Sequence, residues 1–152
     1  MNIRPALLKD AQPIRNLVLS LARYYLVDEA TELPDWFVDT LNLASFEDRL
    51  LSPEFKNYVL EEHSRLVGYV SIRNDEHIYH LFVSEDYQGQ GFSRQLWEYA
   101  RKQSRAEKFW LRSSLHAVPI YKRFGFTESG DVGVRDGISF QPMHLEHQCE
   151  PA

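Results

Sequence analysis

Apolar residues along the chain recur with two spacings, and the spacing changes wherever glycine, proline or short polar runs intervene. From residue 10 to residue 25 the apolar positions are three or four apart, which predicts an amphipathic helix that Asp10 caps. The predicted buried stripe of this helix consists of Ile14, Leu17, Val18, Leu21, Ala22 and Tyr25. The stretch from Asp35 to about Leu51 predicts one or two further helical pieces.

Short runs rich in valine, isoleucine, tyrosine and leucine predict strands between these helices. The runs are Asn2–Arg4, Lys56–Glu62, Leu66–Ile72, His77–Val83, Lys108–Ser113, Phe126–Val132 and Ile138–Leu145. Polar His63-Ser64-Arg65 predicts one hairpin, and Asp136-Gly137 predicts another between the last two runs. Helical spacing returns from about residue 92 to Gln103 and over Ala117–Phe124. The alternation predicts one α/β (α+β) domain built on a mixed sheet.

The stretch from Leu81 to Trp97 joins an apolar run to a helix through a loop with two glycines, Gly89 and Gly91. Phe92, Leu96, Tyr99 and Ala100 recur at helical spacing, so the helix is expected to begin close to Gly91. The first N–H groups of a helix have no partner inside it and lie at the positive end of its dipole. The loop therefore predicts an anion site, and phosphate is the usual anion in this setting.

The loop does not match two common nucleotide motifs. It has no Gly-Lys-Ser/Thr ending, and the place of a third glycine in a dinucleotide fingerprint is held by Arg94. Instead, residues 88–93 (Gln-Gly-Gln-Gly-Phe-Ser) resemble the coenzyme A loop of the GNAT superfamily of N-acetyltransferases. Gln88 and Gly91 match that family's pattern, and Ser93 replaces its final Gly or Ala.

A second stretch, residues 114–126, resembles the family's second motif. Ala117, Ile120-Tyr121 and Gly125-Phe126 fit its register, whereas Ser114 stands where an asparagine often occurs. Without the resemblance, this segment reads as an ordinary amphipathic helix that Gly125 caps. Two such motifs in the expected order make chance an unsatisfactory explanation.

The resemblance implies a single domain over residues 1–147, followed by a short tail at 148–152. It implies a mixed, mostly antiparallel central sheet flanked by helices, with an acetyl-coenzyme A site at the strand, glycine loop and helix. The implied activity is that of an acyltransferase, which transfers the acetyl group of acetyl-coenzyme A directly to a primary amine of a small molecule or protein. The alternative is a catalytically silent module that senses an acyl-coenzyme A or serves as a scaffold.

The resemblance also assigns roles to individual residues. Tyr121 occupies the place of the family's tyrosine that protonates the leaving thiolate; tyrosine, with a pKa of about 10, is protonated at neutral pH. The alternative role of Tyr121 is that of a core aromatic. The residues expected to bind the cofactor are Leu81, Phe82, Val83, Gln88, Gly89, Gln90, Gly91, Phe92, Ser93, Arg94, Ser114, Ala117 and Tyr121.

The proton acceptor is expected on the strand His77–Val83, which contains two histidines. Simple alternation would place His77 and Tyr79 on one face and His80 on the other. Several family members carry the acceptor at the position that His77 occupies, and His80 and a water relay through Glu76 or Glu85 remain alternatives. A histidine with a pKa near 6.5 suits proton transfer at neutral pH.

The acceptor amine is expected to contact the first two helices and the segment between them. Residues 24–39 mix acidic and aromatic side chains, which can attract and hold a cation. The candidate substrate-binding residues are Tyr25, Asp28, Glu29, Trp36 and Tyr79. An equally simple interpretation is a solvated acidic loop whose aromatic residues belong to the core.

Composition narrows the remaining options. The net charge of −5 over 152 residues, without a basic stripe, argues against nucleic acid as the main partner. No apolar run is long enough to span a membrane, and one cysteine cannot form an internal disulfide, so a cytoplasmic location is expected. The histidines and Cys149 lack the spacing of a metal site. The oligomeric state stays open between a monomer and a homodimer.

Overall fold

A computed structural model describes residues 1–22 and 32–146. The strands of this part are β1 (Asn2–Pro5), β2 (Phe55–Glu62), β3 (Arg65–Arg73), β4 (His77–Val83), β5 (Lys108–Ser113), β6 (Thr127–Glu128), β7 (Gly133–Arg135) and β8 (Ile138–Glu146). Its α-helices are α1 (Ala11–Leu21), α2 (Asp35–Thr40), α3 (Leu43–Leu51), α4 (Phe92–Gln103) and α5 (Val118–Arg123).

The strands form one open, mixed sheet in the order β1-β2-β3-β4-β5-β8-β6, and β7 pairs with β8. Every pairing is antiparallel except that of β4 with β5, which run parallel. These two strands share a single residue pair, His77 with Trp110, and separate beyond it. The predicted fold, a mostly antiparallel sheet with flanking helices, is confirmed.

Tight turns connect the antiparallel neighbours. His63 and Ser64 both have positive φ, 49° and 64°, as a two-residue hairpin loop with the sheet's twist requires. Asp136 and Gly137 do the same between β7 and β8. The predicted hairpins are therefore confirmed, but the continuous strand predicted over Phe126–Val132 is wrong. The exposed polar run at 129–131 interrupts it, and two short strands, β6 and β7, pair separately with β8.

The sheet has a separate apolar cluster on each face. On one face Leu96, Trp97 and Ala100 of α4 pack against β3, β4 and β5. On the other, α1 and α3 bury Ile14, Val18 and Phe46 against β2 and β3. The predicted stripe of α1 is buried from Ile14 to Ala22, while its last member, Tyr25, lies outside the described residues.

Close approach of α4 to the sheet depends on Gly68 of β3. A Cβ atom at this position would lie 2.8 Å from the Cδ1 of Leu96, closer than van der Waals contact allows. The absence of a side chain at Gly68 therefore allows α4 to pack closely on β3.

Asp10 does not cap α1 with its side chain, so that prediction is wrong. Its buried carboxylate instead accepts hydrogen bonds from the backbone N–H of Leu7 at 2.7 Å and from the Arg4 guanidinium at 2.8 Å and 3.0 Å. The Arg4 guanidinium holds the pKa of Asp10 below its usual range. Asp10 thus fixes the turn between β1 and α1, because a charged donor outcompetes the helix amides.

Candidate active site

A cavity opens where β4 and β5 separate. It is bounded by the end of β4, the glycine loop, the start of α4 and the inner side of α5. The residues that line it are Leu21, Leu81, Phe82, Val83, Tyr87, Gln88, Gly89, Phe92, Ser93, Ser114, His116, Ala117, Ile120 and Tyr121. We call this space the donor cavity.

The glycine loop presents backbone rather than side chain to the donor cavity. Gly89 and Gly91 have φ of 77° and 84°, and a Cβ on either would meet nothing within 4 Å. Backbone conformation therefore requires glycine here, and the space in front of the loop is open. Gly91 is the N-cap of α4 and has no side chain with which to occupy the first helix amides. These features fit a ligand with phosphate groups.

Most of the predicted cofactor residues lie along the donor cavity. Gln90, Gly91 and Arg94 do not line it. The guanidinium of Arg94 donates to the carbonyl oxygen of Arg123 at 2.9 Å and lies 5.0 Å from the Phe124 ring, so it joins α4 to α5. Gln88 fastens the loop to its strand, since its Nε2 donates to the carbonyl oxygen of Val83 at 2.9 Å.

Tyr121 projects from α5 into the donor cavity. Its side chain is only 8% exposed, and its ring meets Phe124 and Phe126 edge-on. Ser114 begins the turn that leads into this helix, and its Oγ accepts a hydrogen bond from the backbone N–H of Ala117 at 3.3 Å. The aromatic contacts fix the ring position and leave the hydroxyl end at the cavity.

An irregularity in β4 decides which side chains face the opposite side of the sheet. Ser71 of β3 pairs with His80, whereas the next residue, Ile72, pairs with Ile78, so Tyr79 is the extra residue of a β-bulge. The bulge breaks simple alternation. His80 therefore does not point away from Tyr79 as predicted: their ring centroids are 4.6 Å apart, and both line the same cavity.

That cavity lies on the α1 side of the sheet, and we call it the second cavity. Its lining comprises Val18, Ala22, Phe37, Thr40, Leu41, His77, Ile78, Tyr79, His80, Phe82 and Arg112. Phe82 lines the donor cavity as well, so the two spaces meet at one side chain of β4.

The two histidines of β4 have different surroundings. The ring of His77 lies flat on the indole of Trp110, with centroids 3.7 Å apart. Burial, with Arg112 and Arg73 nearby, lowers the pKa of His77 to about 4. The Nε2 of His80 is buried and has no hydrogen-bond partner among the described residues. Burial, with Arg49 nearby, lowers the pKa of His80 well below 6.5. Both imidazoles are therefore neutral at pH 7.

The predicted substrate residues fall into three groups. Tyr79 lines the second cavity. Trp36 lies outside it and donates from Nε1 to the Asp136 carboxylate at 2.7 Å, which joins α2 to the β7–β8 turn. Tyr25, Asp28 and Glu29 lie outside the described residues.

A family model described as an acetyltransferase (GNAT) domain matches residues 25–147. The match covers most of the chain. The chain belongs to the GNAT acetyltransferase family.

Solved structures of other acetyltransferases share this GNAT fold at low sequence identity. The PaiA N-acetyltransferase of Thermoplasma acidophilum, in complex with coenzyme A, is 13% identical, with a TM-score of 0.77 over 95% of this chain and 98% of that one. An aminoglycoside 6′-N-acetyltransferase complexed with coenzyme A is 12% identical, with a TM-score of 0.74 over 100% of both chains. A mutant spermidine N-acetyltransferase of Vibrio cholerae is 18% identical, with a TM-score of 0.66 over 97% and 95%. No curated protein sequence matches the chain.

Several residues of this GNAT site are not evident from the motifs. Tyr87 and His116 also line the donor cavity. In the sequence, only their closeness to the two motifs would have indicated this. Phe37, Thr40 and Arg112 reach the second cavity from elements remote in sequence. Arg112 is marked only as a charged residue that follows the apolar run Phe109-Trp110-Leu111.

Within residues 1–22 and 32–146, no helix is long and apolar enough to cross a membrane. The same residues hold no cluster of three or more histidine, cysteine, aspartate or glutamate side chains that could bind a metal ion.

Proposed function

We propose that this protein transfers the acetyl group of acetyl-coenzyme A directly to a primary amine. The meeting of the two cavities at Phe82 carries the proposal, because it brings the space beside the glycine loop next to a space with neutral histidines. Family membership and relatives solved with coenzyme A support acetyl-coenzyme A as the donor.

The residues that would hold acetyl-coenzyme A are those of the donor cavity. The loop from Gln88 to Ser93 and the first amides of α4 suit the pyrophosphate, and the apolar end of β4 suits the chain that leads to the thioester. When bound, the thioester supplies an activated acetyl group. Open space before the two glycines is consistent with the backbone approaching the ligand closely.

Transfer forms a C–N bond and breaks the C–S bond, so one proton must leave the amine and one must reach the sulfur. We assign the second proton to the Tyr121 hydroxyl, which ends at the donor cavity on a fixed ring. A positioned acid of this kind contributes about 10²–10⁴ in rate.

His80 is our candidate for the group that accepts the amine proton. The Nε2 of His80 has no hydrogen-bond partner among the described residues. The ring of His77, in contrast, is stacked on Trp110. A histidine with a lowered pKa is a weaker base, but it is always in the accepting form at pH 7. Neither Glu76 nor Glu85 lines either cavity, which makes a water relay through them the less direct route.

The test is release of free thiol from acetyl-coenzyme A in the presence of polyamines, amino acids, aminoglycosides or peptide N-termini. At least one class should give saturable turnover and an acetylated product. His80→Gln should reduce kcat, and His77→Gln serves as the matched variant that distinguishes the two histidines. Tight binding of acetyl-coenzyme A without turnover of any amine would support the sensor module instead.

A further inference from the structure

Among the described residues that line the second cavity, the charged side chain is a cation, Arg112. The two histidines of this lining, His77 and His80, are neutral at pH 7. None of the described lining residues is an acid. The remaining wall is largely apolar, with Val18, Ala22 and Phe37 facing the space.

Arg112 has no acidic partner among residues 1–22 and 32–146. Its guanidinium lies 5.8 Å from the Trp110 ring and 5.7 Å from the Phe140 ring, and these aromatic faces are its recorded contacts there. Arg112 follows Trp110 by two residues on β5, and it lines the second cavity together with Tyr79. No described acid occupies the donors of this exposed guanidinium, so they are available to a ligand in the second cavity.

A second arginine stands behind the wall of this cavity. Arg49 is only 8% exposed, and its Nη2 donates to the carbonyl oxygen of Thr40 at 2.8 Å. Its guanidinium lies 5.2 Å from the ring of Tyr79, and its buried Nε has no described partner. No acid among the described residues pairs with Arg49, and a buried charge is screened less than an exposed one, so it makes the potential of this wall more positive.

The acidic residues that were predicted to attract a cationic amine do not face the second cavity in the described part of the chain. Glu32, Asp35 and Asp39 are exposed and do not line the second cavity. A ligand with several positive charges would therefore meet Arg112, with Arg49 behind the wall, and no carboxylate among the described lining residues. A ligand with an anionic group would be attracted, since a guanidinium binds a carboxylate through two parallel hydrogen bonds.

From this arrangement we infer that the acceptor is an α-amino acid with an apolar side chain, and that Arg112 binds its carboxylate. The inference rests on the acetyl transfer proposed above and narrows its substrate class. The apolar wall receives the side chain, and the amine lies toward His80 and Phe82, where the cavities meet. The positive potential that attracts the carboxylate also lowers the pKa of the amine, which increases the fraction that can attack.

The test compares three acceptors of the same shape: L-phenylalanine, L-phenylalaninamide and phenethylamine, with spermidine as a polycation. The parent protein should have the highest kcat/KM for the amino acid, by about 10- to 100-fold over the amide and the amine, as charge-assisted hydrogen bonds predict. Arg112→Gln should remove this preference mainly through KM, and leave kcat/KM for the amide nearly unchanged. Arg112→Lys should keep part of it.

Arg73→Gln is the matched control. Arg73 also lies near His77, but it pairs with Glu54 at 3.5 Å and does not line the second cavity. It should leave the preference intact. Faster acetylation of spermidine or phenethylamine than of phenylalanine, or an equal loss for all acceptors in Arg112→Gln, would overturn the carboxylate assignment while leaving acetyl transfer standing. Absence of thiol release with every amine, in protein that binds acetyl-coenzyme A, would overturn the proposed function and this inference with it.

Discussion

The Tyr121 side chain combines a rigid ring with a hydroxyl at the donor cavity. Phe124 and Phe126 hold the ring edge-on, so aromatic packing sets the position of the ring. A change that removes only the oxygen therefore leaves the packing in place and isolates the chemical role of the hydroxyl.

Tyr121→Phe should lower kcat by about 10²–10⁴, because the proton donor for the sulfur is lost. Affinity for acetyl-coenzyme A should change little, since the lost interaction develops mainly in the transition state. Steady-state kinetics and calorimetry give the two quantities. Tyr99→Phe is the matched control, since Tyr99 is a half-buried residue of α4 that lines neither cavity. Turnover of Tyr121→Phe at the parental rate would make Tyr121 a core aromatic.

At the scale of single residues, the sequence could identify His77 and His80 but could not choose between them. Alternation along a strand assumes one residue per step, and the bulge at Tyr79 adds a residue that no local signal announces. The stacking of His77 on Trp110 is likewise a contact between strands far apart in sequence. Tyr121 could be identified as a residue of the donor cavity because the motif that contains it is continuous in sequence.

The glycine loop and α4 act together as one element. Gly91 ends the loop with φ of 84° and is the N-cap of α4, so its conformation sets the direction in which the helix leaves the loop. Valine at this position cannot adopt that φ without strain.

Gly91→Val should weaken acetyl-coenzyme A binding about tenfold or more, since the loop must move and the ligand loses hydrogen bonds and the helix dipole. Calorimetry measures the affinity. Gly137→Val is a strain-matched control, because Gly137 has φ of 82° and lies outside the donor cavity in the β7–β8 turn. Unchanged affinity in a folded Gly91→Val protein would contradict the assignment of the loop.

Elements with a strong, uninterrupted pattern could be predicted almost to the residue, as β4, β5 and α4 show. The failure at residues 126–132 has a physical cause. A strand's pattern persists through a polar break only when a neighbouring strand continues to pair with it, and here β8 changes partner from β6 to β7. Which residues pair with β8 depends on contacts between segments distant in sequence, and the local pattern does not contain this information.

At the scale of the whole molecule, the neutral histidines couple stability to pH. The pKa of His77 is about 4 in the folded protein and about 6.5 in an unfolded chain. Below pH 6.5 the unfolded chain therefore binds a proton that the folded protein does not bind, and the free energy of unfolding falls as the pH drops from 6.5 to 4. His80 acts in the same direction.

His77→Phe keeps a ring over Trp110 and removes the titrating group, so it should lose less stability than the parent between pH 7.5 and pH 5. Urea unfolding at the two pH values measures the difference. The exposed turn residue His63 provides the control, His63→Asn, which keeps a side chain that tolerates positive φ. An equal loss in His77→Phe and in the parent would show that His77 does not contribute to the coupling.

The single residue pair between β4 and β5 gives the sheet an inner edge in addition to its outer ones at β1 and β6. An edge is where a sheet can accept a further strand, and an extended ligand in this gap could complete the ladder in the same way. Because β4 and β5 share so little pairing, the two halves of the sheet are most weakly connected at this gap. A ligand that binds to both strands would stabilise the two halves of the sheet together. Amide hydrogen exchange should then slow throughout β4 and β5, and not only at the amides that the ligand contacts.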